Sequence, residues 1–304
     1  MPAMLSHERY GAALEFVRQN GRPLDVALLN HTSGEGTAEA ALVALSEYQS
    51  PDGGFGGGLE PDTQAAASSA IAASIALRLL VRLRAPWRHP MLVGVIGWLD
   101  ETLDRDRGVW PIVPREVATA PHAPWWAWSE TLAESWNGFR YNPTAEILAW
   151  LYACRASTPR ALIEEAESGM RLTMAETFNI DSAYDLKCAA RLCEGPDTPA
   201  DLRARLSTLV RRSLAVHDPD DEHLSVLELA PKPASLFRDA VADRIEPALA
   251  ALIAAQQDDG GWTPFWDWLF VDAKAWAKAQ KDWRGWLTRE AIETLRAYGR
   301  VVDG

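Results

Sequence analysis

Cysteine, positive charge and long apolar segments are all scarce in this chain, and each scarcity excludes a class of protein. The 304 residues include three cysteines, Cys154, Cys188 and Cys193, with no Cys-x-x-Cys pair. An odd set without close pairs does not describe a disulfide framework, so we expect a cytoplasmic protein. Lys and Arg number 30 against 42 Asp and Glu, and the net charge of −12 argues against binding to nucleic acid or an anionic membrane.

Signals for membrane insertion and for strands are equally weak. The most apolar stretch, residues 71–83, is interrupted by Arg78 and Arg82 and is too short to cross a bilayer. The first 20 residues lack the apolar segment of a signal peptide. Alternating β-branched runs are nearly absent, and neither a P-loop nor a nucleophile elbow occurs. We therefore expect an all-α protein without a transmembrane segment.

Helical spacing of apolar residues covers much of the chain. Residues with this spacing, or with a high content of Ala and Leu, predict ten helices, over 10–19, 37–48, 65–83, 90–103, 144–155, 160–177, 199–216, 245–255, 272–279 and 287–298. The loop over 108–142 is long for a compact domain, and long ordered loops are often functional.

Two segments about 200 residues apart carry nearly the same sequence. Residues 49–55 read QSPDGGF and residues 256–262 read QQDDGGW, so both fit Q-x-x-D-G-G-aromatic, and each follows a helical run. A degenerate third copy over 103–110 keeps a glycine and the closing Trp. Glycines end a helix by adopting backbone angles that other residues resist, and the Asp holds the turn. Such repetition indicates stacked copies of one helical unit.

The repeats resemble the QW repeats of squalene and terpene cyclases and of protein prenyltransferase β subunits. The glycine-rich segment 53–58 is similar to the corresponding turn of the prenyltransferase subunits. This resemblance implies an α/α toroid, in which paired helices form two layers around a central cavity. At a spacing of roughly 50 residues per unit, the chain would hold about six helical pairs in one domain over residues 1–304. The sequence specifies no oligomeric state.

An acidic tetrad within residues 217–223 supplies the first candidate chemistry. Asp218-Pro-Asp220-Asp221 matches the D-x-D-D motif of class II terpene cyclases, which the resemblance implies as the site of alkene or epoxide protonation. Asp220 would be the acid, kept protonated by crowding from Asp218 and Asp221. The family often has Thr after the motif, where this chain has Glu222. A solvated acidic loop is the simpler alternative.

A second group of candidates lies near the glycine-rich turn and in the long loop. Glu60 and Asp62 follow the glycines, and Glu60 ranks second as the acid. His122, between two prolines, could act as a base or bind an anion. The resemblance implies that these residues gather at one cavity mouth, beside Trp125 and Trp126. Helix capping by Asp62 and a buried, hydrogen-bonded His122 remain the structural alternatives.

Tryptophan is abundant, with 14 copies crowded into the long loop and the C-terminal quarter. Aromatic walls bind apolar chains, stabilise cations and stack on sugar rings, whereas packing between helices is the simpler role of any one Trp. The residues predicted to bind substrate are Trp125, Trp126, Trp136, Trp262, Trp266 and Trp268.

No cofactor is predicted, although a diphosphate substrate would call for Mg²⁺. Zinc catalysis of the prenyltransferase type is disfavoured because no cysteine follows an Asp by two positions. The leading hypothesis is an isoprenoid-handling enzyme, a proton-initiated cyclase acting on an apolar small molecule. One alternative is a toroid enzyme that acts on a carbohydrate with paired carboxylates. Another is a toroid that binds a small molecule or protein without catalysis.

Overall fold

Thirteen α-helices form the regular structure of residues 2–268 and 272–302, the part of the chain that this computed structural model describes. The helices are α1 (His7–Asn20), α2 (Pro23–Ser33), α3 (Ala38–Ser46), α4 (Ala70–Arg82), α5 (Pro90–Thr102), α6 (Leu132–Ser135), α7 (Thr144–Ala153), α8 (Arg160–Glu176), α9 (Ala183–Glu194), α10 (Ala200–Leu214), α11 (Val226–Leu229), α12 (Ala242–Ala254) and α13 (Ala273–Ala297). Within these residues no strand forms, and extended segments meet only in isolated bridge pairs. The predicted all-α class is confirmed, while the closed toroid stays a prediction.

The helices belong to two compact units. Unit 1 comprises residues 1–45 and 225–304, and unit 2 comprises residues 46–224. Unit 2 therefore contains α4 to α10, and unit 1 contains α1, α2, α11 to α13 and all of α3 except its last residue. The prediction of one domain over residues 1–304 stays a prediction.

Three helical pairs build unit 2. Helix α4 packs on α5, α7 packs on α8, and α9 packs on α10. Helix α7 also contacts α4 and α9, and eight of its ten residues are buried, so it forms the centre of this core. The backbone N–H of Asn142, just before α7, donates to the Asp185 carboxylate in the first turn of α9 at 3.1 Å. The N-termini of α7 and α9 therefore lie side by side.

The last helix of unit 1 corrects one sequence prediction. The two helices predicted over 272–279 and 287–298 are one continuous helix, α13. Within this helix, glycine at position 285 allows the backbone of Gly21 to approach closely, since a Cβ there would lie 2.8 Å from the Cα of Gly21. Asp272 begins the helix by accepting from the backbone N–H groups of Lys274 and Ala275.

The two glutamine turns make equivalent hydrogen bonds. Gln49 Nε2 donates to the carbonyl of Gly53 within its own turn at 2.9 Å and to the Met91 carbonyl of α5 at 3.3 Å. Gln256 Nε2 donates to the carbonyl of Gly260 at 2.9 Å and to a carbonyl of α1, also at 2.9 Å. In both turns the Asp accepts from the second glycine's N–H. Each Gln therefore fastens its turn to a helix backbone.

The glycines of these turns allow that close approach. Gly53 and Gly260 have φ of 89° and 90°, in the left-handed region. A Cβ would lie 2.8 Å from the Gly94 oxygen in the first turn and 2.5 Å from the Ala12 oxygen in the second. Gly108 in the third copy also has a positive φ and packs against α8. The turn backbones therefore contact helix backbones directly, which only glycine permits.

Candidate functional site

Four aromatic rings form a continuous row in unit 2, which we call the aromatic wall. The indoles of Trp126 and Trp136 stack with centroids 4.9 Å apart. Trp136 meets the Tyr184 ring edge-on at 5.6 Å, and Tyr184 meets the His223 ring at 5.7 Å. Geometries of this kind are favourable for aromatic pairs. The wall joins the long loop, the start of α9 and the loop after α10.

Exposure increases along the wall from one end to the other. Trp126 is 4% exposed, Trp136 is half-buried, Tyr184 is 37% exposed and His223 is exposed. The Tyr184 hydroxyl lies 3.3 Å from Nδ1 of His223, and the ammonium of Lys187 lies 4.5 Å from the Tyr184 ring centroid. The wall thus begins in the core and ends in solvent with polar partners.

An open pocket, which we call the acidic pocket, lies at the exposed end of the wall. Its volume is about 550 Å³. Its lining residues are Ile180, Asp181, Ser213, Val216, His217, Asp218, Asp220, Asp221, Glu222 and His223. Five of these are carboxylates, and His223 belongs to both the pocket and the wall. Ring faces and hydrogen-bond acceptors therefore occur in one continuous surface.

The D-x-D-D residues shape a turn beside this pocket. The Asp218 carboxylate accepts from the Asp220 backbone N–H at 2.9 Å, and the Asp221 carboxylate accepts from the His223 N–H at 2.9 Å. Asp220 and Asp218 are exposed. A proton donor to an alkene must be buried to stay protonated. Exposure therefore removes the physical basis on which Asp220 ranked first as the acid.

Asp221 is paired with a histidine. His217 Nε2 lies 2.8 Å from Asp221 Oδ2, and the histidine side chain is largely buried. Partial burial of Asp221 opposes ionisation, but the His223 N–H and the His217 imidazole outweigh it and hold the pKa of Asp221 below its ordinary value. Asp221 is therefore an ionised acceptor near neutral pH.

The segments around Glu60 and His122 are antiparallel neighbours. Thr63 and His122 form a bridge pair, and the Asp62 carbonyl accepts from the Ala123 N–H at 2.8 Å. Glu60 is 5% exposed and Asp62 is 3% exposed. His122 Nδ1 lies 2.8 Å from a backbone carbonyl, an acceptor only, so Nδ1 carries the proton. The predicted acidic segment with Glu60 and Asp62 thus lies beside the predicted His122 segment. Trp125, three residues beyond His122, is half-buried.

Asp185 is a buried acid that the predicted site did not include. Its Oδ2 accepts from Asn137 Nδ2 at 2.8 Å, and its Oδ1 accepts from the Asn142 N–H at 3.1 Å. Burial raises the pKa of Asp185 to about 6, against the opposing effect of these two donors. The neighbouring residue Tyr184 and the residue before Asn137, Trp136, are both part of the wall, so Asp185 lies directly behind it.

A second buried acid joins three helices. Glu146 on α7 lies 2.6 Å from the Arg191 guanidinium of α9 and 3.7 Å from that of Arg78 on α4. Although burial opposes it, these two arginines hold the pKa of Glu146 below its ordinary value. No sequence motif marks this group, since its members lie on three separate helices.

The C-terminal tryptophans predicted to bind substrate lie in unit 1 and take part in packing. Trp262 is 4% exposed and donates from Nε1 to the Leu252 carbonyl at 2.7 Å. Trp268 is 1% exposed and lies beside the ring of Trp276. Trp266 is half-buried and meets Trp283 edge-on at 5.2 Å. Burial of Trp262 and Trp268 favours a structural role for both.

The described residues contain neither a metal-ligand cluster nor a membrane-spanning helix. Within residues 2–268 and 272–302, no group of three or more His, Cys, Asp or Glu is placed to hold a metal ion. Over the same residues, no helix combines the length and apolar character needed to cross a bilayer. Comparisons with protein-family models, curated proteins and solved structures find no match.

Proposed function

We propose that unit 2 binds a carbohydrate along the solvent-accessible part of the aromatic wall, from Trp136 to His223, and the acidic pocket. The observation that carries this proposal is the continuity of the two, because four rings end at a pocket with five carboxylates. A sugar ring has apolar C–H faces and a rim of hydroxyl groups. The C–H faces stack on aromatic rings, and the hydroxyls donate to carboxylate oxygens.

The polar end of the wall favours a sugar over an apolar chain. An isoprenoid chain has no hydrogen-bond donors. If it covered the pocket, the carboxylates would lose the hydrogen bonds that they accept from water and would gain none in return. Sugar hydroxyls replace those bonds, and bonds to an ionised acceptor such as Asp221 are the stronger kind. The balance of desolvation and hydrogen bonding therefore supports a hydroxyl-rich ligand.

Recognition fits this pocket better than glycoside hydrolysis. Hydrolysis by paired carboxylates needs one carboxylic acid that keeps its proton near neutral pH. The pKa of Asp221 is lowered, and Asp220 and Asp218 are exposed to water. An ionised carboxylate such as that of Asp221 accepts hydrogen bonds from hydroxyl groups but does not protonate a leaving group. Binding is therefore the function we assign to the pocket.

Titration with soluble oligosaccharides tests the proposal. Cello-, chito-, xylo-, malto- and manno-oligosaccharides would be added while tryptophan fluorescence and heat of binding are recorded. At least one class should bind the wild type. Trp136→Ala should weaken that binding roughly fivefold, the equivalent of about 1 kcal/mol for one lost stacking contact.

Trp87→Ala is the matched control. Trp87 is also in unit 2 and is 53% exposed, but it is not part of the wall. Its variant should bind the sugar with the wild-type Kd. Wild-type protein that binds no saccharide class, or equal Kd values for Trp136→Ala and Trp87→Ala, would contradict the proposal.

A proton-initiated isoprenoid cyclase is the second candidate, with Glu60 as the acid. The observation that favours it is burial of Glu60 and Asp62 next to the His122 segment. Burial disfavours the charged form of a carboxyl group, as a proton donor requires. Incubation with a polyprenyl substrate should then yield a cyclised product that Glu60→Gln abolishes. Product formation that persists in Glu60→Gln, or no product from the wild type, would rule out this candidate.

A further inference from the structure

Asp185 connects the two backbone segments that carry the central rings of the wall. Trp136 is followed directly by Asn137, whose side chain donates to Asp185 Oδ2 at 2.8 Å. Tyr184 immediately precedes Asp185 itself. Asp185 is 3% exposed and lies in the first turn of α9, so its carboxylate has a fixed position. One carboxylate thus ties the Trp136 backbone to the Tyr184 backbone.

The segment after Trp136 has an unfavourable backbone conformation that its contacts must maintain. Asn137, Gly138 and Phe139 have φ of 48°, 67° and 62°, all in the left-handed region. For residues other than glycine this conformation costs on the order of 1 to 3 kcal/mol each. The far end is held by the bond from Thr144 Oγ1 to the Phe139 carbonyl at 2.8 Å. The end nearest Trp136 is held through Asn137 by Asp185.

We propose that Asp185 is a positioning residue for ligand binding, because its ionised carboxylate holds Asn137 and thereby keeps the Trp136 ring between Trp126 and Tyr184. The consequence for a ligand rests on the proposed carbohydrate function. The effect of Asp185 on the geometry of the wall does not depend on that function. The positioning role and the carbohydrate function can therefore fail separately.

Protonation of Asp185 should release this contact. Both carboxylate oxygens accept from N–H groups. A proton on either oxygen turns that oxygen into a donor facing an N–H, so one hydrogen bond is lost. Burial places the pKa of Asp185 at about 6, so the release is expected on mild acidification. The wall should be ordered above this pH and looser below it.

Other charged and titratable groups surround Asp185 and the wall. They come from the segment before α7, from α7 itself, from α9 and from the loop after α10, and they are Arg140, Tyr141, Glu146, Lys187, Cys188, Arg191 and His223. A pH titration of the wild type alone does not identify which of these groups changes charge. A variant that removes titration at Asp185 alone is therefore needed.

Circular dichroism of the stacked indole pair reports on the geometry of the wall. A residue that only stabilises the fold would not change this signal. Two stacked indoles give an exciton signal that depends on their mutual geometry, here that of Trp126 and Trp136. Wild-type protein should lose this signal on acidification with a midpoint near about pH 6. Asp185→Asn carries a donor on one side-chain position, as the protonated acid does, and has no titrating proton, so its signal should be weak at every pH.

Two further variants remove the contact without acid. Asp185→Ala should lack the signal at every pH. Asn137→Gly should lack it too while melting close to the wild type, since glycine adopts the positive φ readily. Asn137→Gly therefore tests the proposal even if Asp185→Ala fails to fold. Asp197→Asn, which removes an exposed carboxylate elsewhere in unit 2, should match the wild type.

The same variants separate this inference from the carbohydrate proposal. If the wild type binds a saccharide, Asn137→Gly and Asp185→Asn should both weaken binding at neutral pH, Asn137→Gly by about the same factor as Trp136→Ala. If no saccharide binds, the dichroism alone decides. An unchanged signal in Asn137→Gly, or acid loss in Asp185→Asn with the wild-type midpoint, would overturn the inference.

Discussion

Replacing Asp185 with Asn should change how stability depends on pH. Asp185 is 3% exposed, and burial raises the pKa of its carboxyl from 3.8 to about 6 despite the two bonds that it accepts. A rise of about 2 in pKa corresponds to about 3 kcal/mol of free energy between the two protonation states. The ionised form of Asp185 therefore destabilises the folded state by about this amount at neutral pH.

The sign follows from proton binding in the two states. Between 3.8 and about 6 the folded protein holds a proton on Asp185 that the unfolded chain has released. The contribution of Asp185 to the free energy of unfolding is therefore largest below pH 3.8 and falls as pH rises to about 6. Asparagine has no proton to release, so the variant lacks this fall.

The assay is urea unfolding of wild type and Asp185→Asn from about pH 3.5 to about pH 7.5. The free energy of unfolding of the wild type minus that of the variant should fall by about 3 kcal/mol across this range. Changed hydrogen bonding in the variant adds an offset, but that offset does not follow the titration. Asp197→Asn, at an exposed carboxylate in the same unit, is the control variant for this comparison. A difference that stays flat for Asp185→Asn, or rises with pH, would refute the reasoning.

Two further substitutions probe the repeats and the buried ion group. Gly260→Ala should lower the free energy of unfolding by about 2 kcal/mol, since its Cβ would lie 2.5 Å from the Ala12 oxygen at a φ of 90°. The control Gly97→Ala, in an exposed helical position with open space, should not destabilise the protein. Equal melting temperatures for the two variants would contradict the role of the turn. Glu146→Gln should cost about 3 kcal/mol at pH 7 by leaving the Arg191 guanidinium without its carboxylate. Because the pKa of Glu146 is lowered, the cost should shrink on acidification through that pKa, and a cost independent of pH in urea unfolding would contradict the pairing.

The repeats were the part of the fold most readable from sequence. Q-x-x-D-G-G encodes a complete local structure, because the Gln, the Asp and both glycines each have a defined role within one turn. Local chemistry of this kind needs no knowledge of distant residues. The predicted helices around the turns correspond to helices of the structure for the same reason.

Two of the longer helices were not predicted. Helix α9 was not predicted, although Ser182 caps it by accepting from the Asp185 N–H, a start signal present in the sequence. Helix α2, with Pro23 in its first turn, was also omitted. In α2 the N-terminal signal was stronger than the apolar periodicity, whereas α9 has a clear apolar face that the prediction overlooked.

The candidate site was predicted only where its residues cluster in sequence. Trp126 and Trp136 share one loop, and His223 borders the acidic motif, whereas Tyr184 comes from a separate segment and was given no role. Asp220 was ranked by its motif, but exposure depends on how the loop after α10 meets solvent. The raised pKa of Asp185 likewise depends on burial by three segments. Such properties belong to tertiary structure and leave no local pattern.

The most direct test of the central claim is the indole N–H region of the NMR spectrum during titration with the oligosaccharide that binds best. A ligand on the accessible part of the aromatic wall should shift the resonance of Trp136, assigned by single substitution, and leave that of the buried Trp262 unchanged. Shifts at Trp262 with none at Trp136 would contradict the account, as would a spectrum that no saccharide perturbs.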